Sequence, residues 1–115
     1  MNVERLRTAV QDSVGRGRKG RLLFALALKL ANHYQRQPEA ELFPAAALEL
    51  AADAATRGGY RHGKTPPTTT ARLALANSKV ALFFPHALKL AGLSEQQIQS
   101  SKAALYPTVA GSWSA

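Results

Sequence analysis

Three short segments with nearly the same sequence constrain most strongly what this chain can fold into. Residues 27–31 and 87–91 both read Ala-Leu-Lys-Leu-Ala, and residues 47–51 read Ala-Leu-Glu-Leu-Ala. Alternating small and large apolar side chains allow helices to approach one another closely. The intervals between the copies are unequal, so the pattern does not indicate a solenoid. We therefore expect three core helices that meet through these segments.

The rest of the chain also has the composition of a helical protein. Of 115 residues, 46% are hydrophobic, largely Ala and Leu, and only 7% are aromatic. This mixture favours helices over a sheet. We predict an all-α, compact bundle of four to five helices with two basic glycine-containing loops. Residues 1–107 are expected to form a single helical domain, and residues 108–115 a loose C-terminal tail. Apolar spacing predicts helices over residues 3–14, 21–36, 44–56 and 71–91, and a last helix from 94 to just before 107.

Capping residues and prolines predict where several helices begin and end. Asn2 is a suitable N-cap for the first helix. Thr70 is expected to cap the fourth, at the end of a loop that closes with Pro66-Pro67 and three threonines. Pro85 lies within the 71–91 pattern, and it is expected to kink or split that helix after Phe83 or Phe84 because proline lacks the N–H that a helix needs.

Residues 58–65 satisfy the P-loop pattern G-x-x-x-x-G-K-[ST]. That site needs a strand before the loop and a helix that starts at the Lys-Thr pair, so that the helix N-terminus faces the phosphates. Here a predicted helix precedes the loop, and Pro66 and Pro67 follow Lys64-Thr65. We therefore predict no nucleoside-triphosphate site. The alternatives that remain are a phosphate-contacting loop and a solvated connector.

Charge gives the strongest indication of a partner. The formal net charge is +8, the isoelectric point is about 10.5, and no acidic residue lies between Asp53 and Glu95. Small domains this basic bind nucleic acid, anionic membrane surfaces or acidic proteins, although ordinary solubility charge is the alternative. Two basic segments stand out, residues 15–21 and 57–72. The first is expected to be a flexible basic arm or a solvated hinge.

Side chains of three kinds make these segments candidates for nucleic-acid contact. Arginine and lysine bind phosphate oxygens, glycine exposes backbone N–H groups, and tyrosine or histidine can stack on bases. Two further predicted helices add basic edges, one of them a stripe of Arg72, Lys79 and His86 at intervals of seven. The predicted nucleic-acid-binding residues are Arg16, Arg18, Lys19, Arg21, Lys29, Arg36, Arg57, Tyr60, Arg61, His62, Lys64, Arg72 and Lys79.

Enzyme chemistry is not indicated. The chain has no cysteine, which excludes disulfides, cysteine-ligated zinc and thiol catalysis, and fits a reducing compartment such as the cytoplasm. The three histidines lack ligand spacing, and the few carboxylates suggest no acid–base pair. The apolar run at residues 22–31 is shorter than the roughly 20 residues of a membrane span. We predict no catalytic residue, metal, cofactor or membrane association.

Residues 84–105 offer a second way to bind DNA. Ala87, Gly92 and Ile98 have the spacing of a helix-turn-helix, and Ser94 with Gln97 forms a capping box for the second helix. Exposed glutamines on that helix could read adenine in a major groove. The predicted second helix carries a single cation, Lys102, whereas most of the charge lies elsewhere. A sequence-specific regulator is therefore the weaker alternative.

The sequence favours a non-catalytic nucleic-acid-binding protein that contacts the RNA or DNA backbone with little sequence specificity. Such a protein is expected to act with protein partners, as a small subunit of a larger nucleoprotein assembly. The small helical subunits of CRISPR effector complexes are an analogy of size, charge and class only, and no motif here identifies that family. The rival from another class is a protein–protein interaction module whose Ala/Leu-rich face docks other subunits.

Overall fold

A computed structural model describes residues 1–39, 41–57, 59 and 64–107, and within these residues the chain forms six α-helices and no strand. The all-α class is confirmed, and the prediction of four to five helices is too low. The helices are α1 (Val3–Ser13), α2 (Arg18–Arg36), α3 (Pro44–Arg57), α4 (Pro67–Leu75), α5 (Ser78–Leu90) and α6 (Glu95–Leu105).

Helix α2 is the centre of the fold, because it packs against α1, α3 and α5 and also touches α4. Its side chains Leu22, Leu23, Leu26 and Leu30 are fully buried. Every buried side chain of α3 is an alanine, and small side chains let two helices approach closely. Alanines from all three repeated segments lie in the same core cluster, as the sequence indicated: Ala27, Ala47, Ala51, Ala87 and Ala91.

The predicted helix over 71–91 is two helices, and the break is at Asn77 and not at Pro85. The Asn77 side chain accepts hydrogen bonds from the backbone N–H groups of Lys79 (3.0 Å) and Val80 (3.3 Å), which fixes the start of α5. Pro85 lies inside α5, and its neighbour Phe84 is fully buried. Burial of this helix face offsets the missing proline N–H. The prediction of a break after Phe83 or Phe84 is therefore wrong.

Two further predictions fail because the helix boundaries differ from those expected. Helix α4 begins at Pro67, because proline is already preset for the first turn of a helix. Thr70 is therefore not a cap but lies within α4, where it is 5% exposed. The expected stripe of Arg72, Lys79 and His86 does not exist on one helix, because Arg72 belongs to α4 and the other two belong to α5.

The segment 15–21 is only partly a loop. Gly15 has a positive φ of 114° and follows α1, but α2 already begins at Arg18. Lys19 and Arg21 therefore lie on the first turn of α2. The prediction of a flexible basic arm over these residues is wrong beyond Gly17. In the second basic segment, α3 extends to Arg57 and α4 starts at Pro67, so Arg72 is also helical.

Other predicted helix ends are confirmed. The Asn2 side chain accepts a hydrogen bond from the Arg5 N–H at 3.1 Å. Ser94 and Gln97 form the capping box of α6, and Gly92 has a φ of 94° in the turn after α5. The predicted tail at residues 108–115 lies outside the described residues. No helix in the described ranges is both long and apolar enough to cross a membrane.

Candidate nucleic-acid interface

The two basic segments of the sequence meet in the fold. Arg21, on the first turn of α2, places its Nη2 atom 3.6 Å from the position that a Cβ would take at Gly59. Gly59 lies just beyond the end of α3 and has a φ of 89°. The contact arises because α2 and α3 pack together, which brings the start of α2 beside the loop that follows α3.

An open cleft of about 320 Å³ runs along α2 next to this contact. Its α2 residues recur at intervals of three and four, so they share one face of the helix. The end of α3 contributes a single cation at its edge. The floor is largely apolar and the edges are polar. The lining residues are Phe24, Ala25, Leu28, Lys29 and Asn32 of α2, and Arg57 of α3.

A second, smaller hollow of about 50 Å³ lies at the junction of α1 and α2. Arg7, Arg16, Arg21 and Phe24 are among its lining residues. The Arg7 guanidinium lies over the Phe24 ring, 4.7 Å from the ring centroid, which is within the range of a cation–π interaction. Phe24 lines both hollows, so the two adjoin at its side chain. We call their combined lining the α2 basic face, defined by Arg7, Arg16, Arg21, Phe24, Ala25, Leu28, Lys29, Asn32 and Arg57.

Two of the five cations on this face already have acidic partners. Arg7 forms an ion pair with Glu4 on α1. Lys29 is largely buried and its Nζ lies 3.5 Å from Asp53 Oδ2 on α3. The Arg7–Glu4 pair is exposed, and exposed ion pairs are weak and screened by salt, so Arg7 keeps some capacity to bind another anion. Arg16, Arg21 and Arg57 are exposed and form no ion pair with a described carboxylate.

The start of α2 adds positive potential to the same face. The first turn of a helix exposes backbone N–H groups and carries a partial positive charge. Acidic side chains are usual there, but the first turn of α2 has none, and its N-cap Gly17 provides no side-chain hydrogen bond. Instead, Lys19 and Arg21 stand on this turn. Cations at this position do not stabilise the helix, because the partial charge at a helix N-terminus is also positive.

The other predicted contact residues are more scattered. Arg36 is on the same helix as Arg21 but about 22 Å further along its axis. Arg72 and Lys79 are exposed on α4 and α5, away from the lining of the cleft. Lys64 is exposed shortly before α4, and Arg18 is exposed on the first turn of α2. Tyr60, Arg61 and His62 lie outside the described residues.

Two carboxylates follow the far end of α2, whose last turn itself carries His33 and Arg36. A hollow of about 370 Å³ there is lined by Glu39 and Glu41 together with the start of α6, including Gln96 and Gln97. The Gln97 side chain donates a hydrogen bond to the Pro38 carbonyl at 3.2 Å. These carboxylates lie beside the start of α6, the second helix of the helix-turn-helix alternative, and carboxylates repel DNA phosphates. The geometry of residues 84–105 therefore favours DNA reading less than the opposite end of the molecule does.

Sequence reasoning missed part of this face. Arg7 is absent from the predicted contact residues, and Phe24 lies in the apolar run at residues 22–31. Leu28 and Asn32 were not singled out. The acid-free run from residue 13 to 38 is the one signal that covers the α2 residues. No periodicity within a single helix could have placed Arg7 over Phe24.

Comparison with known protein families, with curated proteins and with solved structures finds no match for this chain. Within the described ranges, no three His, Cys, Asp or Glu side chains come together in a way that could hold a metal ion. The residues of the site are therefore the basis for any inference of function.

Proposed function

We propose that this protein is a non-catalytic nucleic-acid-binding protein that holds a phosphate backbone on the α2 basic face. One observation carries the proposal: cations from two distant parts of the sequence converge beside one cleft. Arg21 reaches the loop at Gly59, and Arg57 lines the cleft that α2 forms. Backbone binding requires several cations at once, because each neutralised phosphate releases counterions and adds its increment to the affinity.

The proposed contacts carry little sequence information. Arginine and lysine bind phosphate oxygens, which position a nucleic acid without reading its bases. Among the side chains of the cleft, Asn32 offers an amide that can pair with a base edge, whereas Phe24, Ala25 and Leu28 offer apolar surface. RNA and DNA would both be bound, with weak preference for any sequence.

Exposed leucines support the proposal that the protein works within a larger nucleoprotein assembly. Leu73 on α4 is 69% exposed and Leu82 on α5 is 86% exposed. Exposed apolar side chains mark a partner surface when they lie together in one patch. Because the chain lacks cysteine, which fits a reducing compartment, we place that assembly in the cytoplasm.

The test compares two variants with the same net charge. The first changes Arg16, Arg21 and Arg57 to Gln. The control changes Arg5, Lys89 and Lys102 to Gln, which removes three positive charges away from the α2 basic face. Labelled RNA and DNA are titrated against each protein at several salt concentrations. We expect a steep loss of affinity with salt for the wild type, and a loss of at least about 100-fold for the first variant only.

If both triple variants bind as tightly as the wild type, the contact lies elsewhere. If both lose affinity equally, the binding depends on net charge alone. If one duplex sequence binds far more tightly than others, the helix-turn-helix alternative at residues 84–105 is favoured. If no nucleic acid binds at low salt, the protein-interaction module remains. Leu73 and Leu82 are the specific observation in favour of that second candidate.

A further inference from the structure

We infer that the nucleic acid bound on the α2 basic face is single-stranded, with a base seated in the cleft between α2 and the end of α3. This inference rests on the proposed function and adds the class of nucleic acid. The shape and the apolar lining of the cleft support this inference, together with the charge around the cleft.

The cleft combines features that a duplex cannot use together. Its floor is made by Phe24, Ala25 and Leu28, all partly buried, and its edge carries Arg57. A duplex presents its phosphates outward and keeps its bases stacked inside, so an apolar hollow beside the cations would stay empty. A single strand can place phosphates on the cations and turn a base onto the apolar floor.

Phe24 is the residue expected to contact the base. Its ring lines the cleft, and it also lines the hollow in which Arg7 lies against it. Arg7 therefore supports the ring from the α1 side, and the cleft side remains for a ligand. Base stacking on an aromatic ring tolerates any sequence, because every base has a π-face. The volume of about 320 Å³ lies within the range of small-molecule pockets, which is roughly 300–1,000 Å³.

The experiment measures binding of labelled single-stranded DNA, single-stranded RNA and blunt duplexes, each about 12 nucleotides long, which is within the usual site size. At equal salt, we expect both single strands to bind about 10-fold more tightly than the duplexes. Phe24→Leu keeps an apolar side chain and removes the aromatic ring. It should weaken single-strand binding about 5- to 10-fold and weaken duplex binding much less.

Phe43 provides the matched control, since it is an exposed aromatic residue that lies just before α3, at the opposite end of that helix from Arg57. Phe43→Leu should change neither affinity. A second measurement avoids variants altogether: a single strand carrying an iodinated uracil is photo-crosslinked to the wild-type protein, and mass spectrometry is expected to locate the crosslink at Phe24.

The outcomes separate the inference from the proposed function. If nucleic acids bind but duplexes bind as tightly as single strands, the inference is wrong and the proposed function stands. The same holds if Phe24→Leu weakens both equally, or if the crosslink maps to another helix. If no nucleic acid binds at low salt, the proposed function fails and the inference fails with it.

Discussion

Gly20 on α2 lies so close to Gly15 that a Cβ at residue 20 would overlap the Gly15 carbonyl oxygen. Glycine inside a helix costs about 1 kcal/mol relative to alanine, so its presence there needs a reason. The close approach supplies that reason, because it lets the end of α1 fold back against the first turns of α2. Arg16 and Arg21 flank this contact, so it fixes how the α2 basic face is assembled.

Adding a small side chain at Gly20 should therefore reduce both stability and binding. We expect Gly20→Ser to lower the free energy of unfolding by about 1–3 kcal/mol, as overpacking does, and to weaken nucleic-acid binding because Arg16 and Arg21 move. Gly17→Ser makes the same chemical change in open space at an N-cap position, where serine is favoured. The free energy of unfolding of this variant should stay within about 0.5 kcal/mol of the wild-type value. Urea denaturation checks both, and equal effects would contradict the packing argument.

The charge pattern at the start of α2 predicts that a single substitution there can raise the stability of the protein and weaken its binding to nucleic acid. Lys19 is exposed on a first turn that carries no acidic side chain. Lys19→Glu should raise the free energy of unfolding by about 0.5–1 kcal/mol at low salt, because a carboxylate interacts favourably with the helix N-terminus. The same change should weaken nucleic-acid binding. The stability gain should shrink in high salt, where exposed charges are screened.

Lys89, in the last turn of α5, provides the mirrored control. Lys89→Glu changes the net charge by the same amount but places the carboxylate at a helix C-terminus, so it should lower stability by a similar amount. Its effect on binding should be smaller than that of Lys19→Glu. If the two variants change stability in the same direction, the helix-dipole explanation is wrong.

Local signals in the sequence predicted the fold where local chemistry decides it. Asn2 and the Ser94–Gln97 capping box were found because a cap needs only a few neighbouring residues. Pro85 was misjudged because its tolerance inside α5 depends on the burial of Phe84, which is a tertiary property. Asn77 carried a capping signal that the stronger proline signal concealed.

The sequence predicted the positive charge of the candidate site but not its arrangement in space. Runs of arginine and lysine indicated Arg16, Arg21 and Arg57 as candidates, but they did not indicate that the segments adjoin. That Arg21 reaches Gly59 depends on how α2 packs against α3. The pairing of Arg7 with Phe24 joins two helices and leaves no periodic trace in either one. The convergence of these cations in space, and the apolar floor of the cleft beside them, could be recognised only from the three-dimensional structure.

The start of α5 at Asn77 can be tested by removing its capping side chain. Asn77→Ala removes the side-chain acceptor for two backbone N–H groups at the start of α5. We expect the free energy of unfolding to fall by about 1 kcal/mol, the usual value of an N-cap. Thr69→Ala, at an exposed position inside α4, is the control and should change stability by less than about 0.5 kcal/mol. Equal losses would mean that Asn77 does not set the boundary.

Tyr106 links the end of α6 to the end of α4, because its hydroxyl donates a hydrogen bond to the Leu75 carbonyl at 2.7 Å. Its ring also packs edge-on against Phe84, with the centroids 5.2 Å apart. Tyr106→Phe retains the ring and removes the hydroxyl. We expect this variant to lose about 1 kcal/mol of unfolding free energy at neutral pH, the usual net value of a hydrogen bond. Urea denaturation of both proteins at neutral pH measures it.

The same hydroxyl predicts how stability changes in alkaline solution. Burial raises the pKa of the Tyr106 phenol well above its usual value, which is about 10 in an unfolded chain. Above that pH the unfolded chain loses the proton while the folded protein keeps it, so unfolding becomes easier as the pH rises. The stabilisation is complete below about pH 10 and is lost above it by up to about 1.4 kcal/mol per pH unit. Tyr106→Phe lacks this proton and is otherwise identical to the wild type, so comparing the two proteins isolates the effect of the Tyr106 hydroxyl. The difference in unfolding free energy between wild type and variant should therefore narrow above about pH 10, and a constant difference would show that Tyr106 ionises equally in both states.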